Sequence, residues 1–284
     1  MKRKLLAISV GLVLGAGAPL TAQQNLEENL RRAEAVYARD TTNADAIIWL
    51  GRRHAYLGQY REAIEAFTKG IALHPRDARF YRHRGHRYIT LRRFKEAIAD
   101  LAKAAKLVRG QPDEIEPDGA PNAHNIPIST LQSNIWYHLA LAHYLEHDFE
   151  QALRGWEQAM RVSANDDMKV ATADWLYMTL RRLGRAQDAA QVLVPITRDM
   201  RILENHAYHK RLLMYKGELR PEELLSEQTE DAVQLATFGY GVANWYFYNG
   251  EREKAYTLFR RIVAGKNPAA FGHIAAEVEL AKSK

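Results

Sequence analysis

The chain has 284 residues, 26% charged and 47% hydrophobic, with a formal net charge of +6 and no cysteine. The lack of cysteine excludes disulfides, thiolate catalysis and a cysteine-borne lipid, while the length is enough to bury a sizeable core without covalent staples. Lys2, Arg3 and Lys4 supply half of the net charge, and the remaining excess of about +3 is too weak to argue for a nucleic-acid ligand.

Residues 1–22 begin with that basic triplet, continue through an apolar run from Leu5 to Ala18, and end in small and polar residues with a cleavage point at Ala22. This is the layout of a secretory signal peptide, so the protein is expected to be exported, periplasmic or secreted; an uncleaved N-terminal anchor is the alternative. The run is shorter than the roughly 20 apolar residues a membrane-spanning helix needs. No later segment is long and apolar enough either, so no transmembrane segment is expected after cleavage. Residues 23–43 read as a capping helix with Leu26, Leu30, Ala33 and Tyr37 on one face.

From residue 44 a period emerges. Ile47, Leu50, Gly51, His54, Gly58, Tyr60, Ala63, Phe67, Gly70 and Pro75 mark two helices joined at Gly58, with Pro75 ending the second and Asp77 placed to cap the next. Shifted by 34, the frame returns as Tyr81, Gly85, Tyr88, Phe94, Ala97, Leu101 and Ala104. After a gap it returns again as Trp136, Leu139, Ala140, His143, Phe149, Ala152, Trp156 and Ala159, and the turn glycines Gly184, Gly217 and Gly250 then follow 33 residues apart. Around Gly217 the copy is degenerate, because Pro221 shortens its second helix. The stretches 44–109 and 130–268 therefore hold two and four repeats, and 269–284 forms a closing helix carrying Phe271, Ile274 and Val278.

This pattern resembles the tetratricopeptide repeat, a pair of antiparallel helices of 34 residues. The resemblance implies an all-α fold, a right-handed superhelical solenoid with a concave groove lined by the first helix of each repeat. It also points to Arg52, Tyr56, Arg79, Arg82, His86, Tyr137, Tyr144, Arg181, Arg182, Arg211, Tyr240, Phe247 and Tyr248 as groove residues, with Asp174, Met178, Met214, Tyr215 and Asn244 beside them. Arginine holds carboxylates with two bonds and tyrosine gives a rigid, half-polar face, so this surface suits an acidic or aromatic peptide or protein segment. Some members of the family clamp a C-terminal carboxylate with lysine and asparagine; here Ile48, Arg52 and His83 stand at those positions, and the clamp is not carried over.

Between the second and third copies lies "GQPDEIEPDGAPNAHNIPIS", residues 110–129, with four prolines, four acidic residues and no lysine or arginine. The prolines forbid a regular helix. As a solvated linker it would have no role; with its acidic charge it can instead fold back over Arg79, Arg82 or Arg181, anchored by Ile115, Ile126 and Ile128, and complete or occupy the groove.

One motif points elsewhere. His143, Glu146 and His147 spell H-x-x-E-H, the inverted zinc-protease signature. The repeat frame places His143 at the core position of His54 and Tyr88, and His147 at the turn position of Gly58 and Gly184, so a zinc hydrolase is the minor alternative. The leading expectation is a non-catalytic scaffold without cofactor that binds a peptide or protein in its groove. Nucleic acid is not expected, the oligomeric state is open, and an architectural envelope subunit using the convex face or the caps is the second reading.

Overall fold

The computed structural model describes residues 22–282 except 118, 120, 121, 123, 226–231 and 266; the expected signal peptide thus lies, but for its last residue, outside the described residues. Among the described residues there are fourteen helices and no strand, with one isolated bridge between Ile115 and Thr130. The chain is an all-helical solenoid. None of its described helices is long and apolar enough to cross a membrane.

Helix α1 (Ala22–Arg39) precedes α2 (Ala44–Tyr56) and α3 (Tyr60–Leu73), α4 (Ala78–Thr90) and α5 (Phe94–Leu107). After the inserted loop come α6 (Leu131–Leu145), α7 (Phe149–Arg161), α8 (Asp166–Arg182), α9 (Ala186–Leu193) and α10 (His206–Tyr215). A single turn that starts on Pro221, α11 (Pro221–Leu224), leads to α12 (Ala232–Tyr248), α13 (Arg252–Val263) and α14 (Phe271–Lys282). Short polar side chains start many of them: Asn43, Asp77, Thr130, Asp148 and Asn165 each accept a hydrogen bond from a first-turn amide of the following helix. The even-numbered helices from α2 to α12 pack on one another as an inner layer, and each is backed by the next helix in the chain.

The turn inside each pair obeys one rule. Gly58, Arg92, His147, Gly184, Gly217 and Gly250 all have positive φ, between 61° and 91°. Each donates its amide to the carbonyl three residues back, and the following residue donates to the carbonyl five back, as in Gly58→Ala55 and Gln59→His54, or His147→Tyr144 and Asp148→His143. These are Schellman closures, which satisfy the last carbonyls of a helix while reversing the chain. Six recurrences of one closure give the repeat a geometric basis beyond its residue pattern.

The core is continuous from Ala78 to Ala276, with a smaller cluster around Ile47, Phe67 and Phe80. At its centre Trp156 stacks on Trp175 and Trp175 on Tyr240, ring centres 6.1 and 5.6 Å apart. Twelve residues of α8 are buried. An inner helix of an open solenoid would be wet on one side, so the inner face is covered here. The cover comes from α12 and α14; α14 packs so closely that a Cβ on Gly272 would sit 2.0 Å from the Ala236 carbonyl oxygen.

Gly184 has φ +76° and open space around its Cα, so Gly184→Ala introduces backbone strain without a clash. It should lower the unfolding free energy by about 1 kcal/mol, read as a lower urea midpoint at unchanged slope.

Candidate functional site

The inner face divides into two regions, and the groove residues fall differently in each. Over α6, α8 and α12 the groove is filled by α14. Glu279, 4% exposed, accepts hydrogen bonds from Arg182 at 2.7 and 3.1 Å, lies 3.3 Å from His147 Nε2, and accepts a long bond from the Tyr240 hydroxyl. Burial works to raise its pKa, but the nearby His147 ring and the Arg182 guanidinium hold it below the ordinary carboxylate value. Tyr144 and Tyr240 join hydroxyls at 2.9 Å within this network, and Asn244 donates to Tyr144. Arg92 Nε donates to Glu277 at 2.8 Å, and Lys282 donates to the Glu146 carbonyl, pinning the middle and the C-terminal end of α14.

Several groove expectations are corrected by this arrangement. Tyr144 and Tyr240 are interior side chains, and Arg182 is spent on Glu279 with Phe247 against its guanidinium. Arg211, 1% exposed, is held by the buried Asp174 and the Thr237 carbonyl through its two terminal nitrogens. Arg181 bonds Tyr177 and Asn249 and lies over the ring of Tyr248. Arg79 is tied to Asp77 and Asp45 outside the cleft. Treating every first helix as equally open missed that the chain's own last helix lies along the later ones.

Over α2, α4 and the start of α6 the inner face stays concave, and here the inserted loop matters. Gly110, three residues past the end of α5, turns the chain into the loop with φ +74°. The base of the loop is then clipped by Glu116 N→Ser129 O and Leu131 N→Glu114 O, while Asp113 accepts from Thr130 Oγ1 at 2.6 Å and from Gln132 N at the first turn of α6. This carries Glu116, Pro117 and Gly119 against the arginines. Arg82 pairs with Glu116 at 2.9 Å with both side chains largely buried; Arg52 donates to the Pro117 carbonyl at 2.7 Å, and Arg53 to that of Gly119 at 2.9 Å. The loop thus folds back on Arg82 and Arg52, not on Arg79 or Arg181. Ile115 and Ile126 are not its anchors, being 67% and 49% exposed. Ile128 lies at a neighbouring chamber, and Asp118 lies outside the described residues.

Arg52, Tyr56, Arg82, His83, His86, Arg87 and Glu116 face a cavity of about 250 Å³. Ser129 and Asn134 connect it to a second chamber of about 260 Å³ that includes Tyr137, Met168, Tyr208 and Phe271. His86 and His138 pack at the seam, their rings 4.3 Å apart and His86 5.4 Å from Phe271, while His83 stacks on Phe67. Burial above all, then the neighbouring arginines, pulls His83, His86 and His138 well below the usual histidine pKa. They are therefore neutral at pH 7. Arg87, Glu116 and Asn134 had no place among the sequence-derived groove residues. Glu279 carried a readable signal, since it falls four residues after Ala275 on an apolar helix face.

The H-x-x-E-H spacing has a conformational explanation. His147 is the left-handed residue of the α6–α7 turn and turns its ring to Glu279, while His143 faces Asp148 at 3.5 Å. Among the described residues no three His, Asp or Glu side chains cluster as ligands of a metal would.

Two consequences follow from this electrostatics. Glu279→Gln leaves buried Arg182 without its counter-ion and should cost about 3 kcal/mol of unfolding free energy, whereas Arg79→Ala, removing exposed pairs, should cost less than about 1 kcal/mol; urea titration of both variants checks the contrast. The folded pKa values of the three histidines are depressed, so the unfolded chain binds more protons below pH 6.5. Stability is then complete above that pH and falls on acidification, each histidine contributing up to about 1.4 kcal/mol per pH unit. The melting temperature should drop between pH 7 and 5, and His86→Gln should flatten that slope.

The comparisons with known proteins agree with the repeat. The tetratricopeptide repeat family model matches residues 44–77. No curated protein matches the chain. Among solved structures, MamA is similar at 14% identity, with 69% of this chain and 87% of that one covered and a TM-score of 0.46. YrrB, a TPR protein with an unusual peptide-binding site, is similar at 16% identity over 90% of this chain and 100% of that one, TM-score 0.46. PilW, a widely conserved type IV pilus biogenesis factor, is similar at 15% identity over 85% of this chain and 86% of that one, TM-score 0.49. One tetratricopeptide repeat is thus matched at residues 44–77, and the turn geometry of that repeat recurs down the helical solenoid.

Proposed function

We propose that this protein is an exported, non-catalytic scaffold that recruits an acidic segment of a partner protein into the cleft between α2, α4, α6 and the inserted loop. The observation that carries this reading is the pairing of two chambers of opposite character. One has arginines in excess of carboxylates, and the other is built from tyrosine, methionine and phenylalanine. A segment with an acidic side chain beside an aromatic or aliphatic one matches both, through forked guanidinium bonds and rigid apolar contact. Export is supported by the basic triplet at Lys2–Lys4 and the apolar run that follows.

Within this proposal the inserted loop completes the site. It forms one wall through Glu116 and Ser129 and keeps Arg52 and Arg82 from spreading into solvent. The filled inner face over α8 and α12 has a structural task, so recognition concentrates on the first half of the solenoid.

Panning a random peptide library on the purified protein tests the reading. The selected sequences should pair an acidic residue with an apolar neighbour, and Arg87→Gln should weaken them about tenfold while Arg79→Ala leaves them unchanged. Selection of peptides without acidic residues, or equal binding to Arg87→Gln, would contradict it.

A further inference from the structure

Among the described residues the charge lining the first chamber does not balance. Arg52, Arg82 and Arg87 line it, and the one carboxylate among the described residues that lines it is Glu116, leaving two positive charges over. His83 and His86 add no charge at neutral pH, because burial keeps them unprotonated. Arg82 is 7% exposed, and its Nε has no hydrogen-bond partner; the second oxygen of Glu116 is likewise unpartnered, so that ion pair satisfies neither group. Arg87 is half-buried at the cavity wall; among the described residues it has no acidic or hydrogen-bonding partner, and its guanidinium lies over the Tyr60 ring at 5.6 Å. Burial and the repulsion of Arg82 push its pKa down to about 10. A guanidinium taken out of water without a counter-ion is costly unless something else supplies the charge.

We propose that this chamber is a binding site for a doubly charged oxyanion of the phosphate and sulfate class, held beside Glu116 by Arg82 and Arg87. A single carboxylate would leave one of the two excess charges uncompensated; a dianion cancels both. A tetrahedral group offers several oxygens to guanidinium forks arriving from different directions, a geometry that suits arginine. At about 250 Å³ the chamber has room for such a group together with waters or an ester substituent. The inference rests on the reading of this chamber as the anionic half of the cleft and deepens it by naming the charge class preferred there. Glu116 then acts as a tethered competitor that weakens the site by its own charge.

Calorimetry and thermal melting of the purified protein with sodium sulfate, against sodium chloride at equal ionic strength, test this with the ion alone. A saturable single site and a melting temperature raised by sulfate but not chloride are expected. Arg87→Gln should weaken sulfate about tenfold and Glu116→Gln should tighten it about tenfold, both with unchanged circular dichroism. Inorganic phosphate and methyl phosphate distinguish the sources: comparable binding of both means a phosphoryl group carried on a larger molecule, and binding of the inorganic ion alone means a free one. Absence of a sulfate-specific response, or the same affinity in Arg87→Gln, would overturn the proposal. If acidic peptides still bound in that case, the scaffold reading would stand without it.

Discussion

The inner face depends on one buried carboxylate. Glu279 reaches into the groove from the last helix and gathers Arg182, His147 and Tyr240, groups from α8, the α6–α7 turn and α12. These belong to three repeats that are distant in sequence, and each would otherwise present a polar group to a half-closed groove. A charge this deep is tolerable only when paired and hydrogen-bonded, so Glu279 and Arg182 fix where α14 lies. Once α14 is fixed, the later half of the solenoid has a filled centre and the earlier half keeps its concavity.

The same logic applies at the other end with a different outcome. There the inserted loop brings Glu116 to Arg82, but among the described residues one carboxylate faces three guanidiniums. Helix α14 closes its region with matched charges, and the loop leaves its region mismatched. Residual charge beside an apolar chamber is what separates a cleft suited to a ligand from a groove that serves only as core. Phe271 links the two regions, since it opens α14 and also packs on His86 and His138 at the seam.

Much of the fold was legible in the residues. Apolar spacing marked most of the helices, and Gly58, Gly184, Gly217 and Gly250 marked turns because only glycine takes left-handed backbone without strain. His147 holds the same conformation and was legible through register, not residue type, while Arg92 in the same conformation carried no residue signal. The candidate site was harder to read. Periodicity says which face of a helix is apolar, not which neighbour covers it, so Tyr144, Arg211 and Tyr240 looked like groove residues when they are interior. The sign of the loop's charge matched the arginines, but the choice of Arg82 over Arg79 follows from the clip that Asp113 makes with Thr130 and Gln132, a contact that no local pattern announces.

The central claim is that recognition belongs to the cleft between α2, α4, α6 and the loop, while the groove over α8 and α12 is structural. Hydrogen–deuterium exchange with and without a saturating acidic peptide tests this most directly. Protection should appear in residues 52–56, 82–87, 114–117 and 129–137, with exchange across 274–282 unchanged. Protection confined to 274–282, or to the outer helices α3, α5 and α7, would place the partner elsewhere and contradict it.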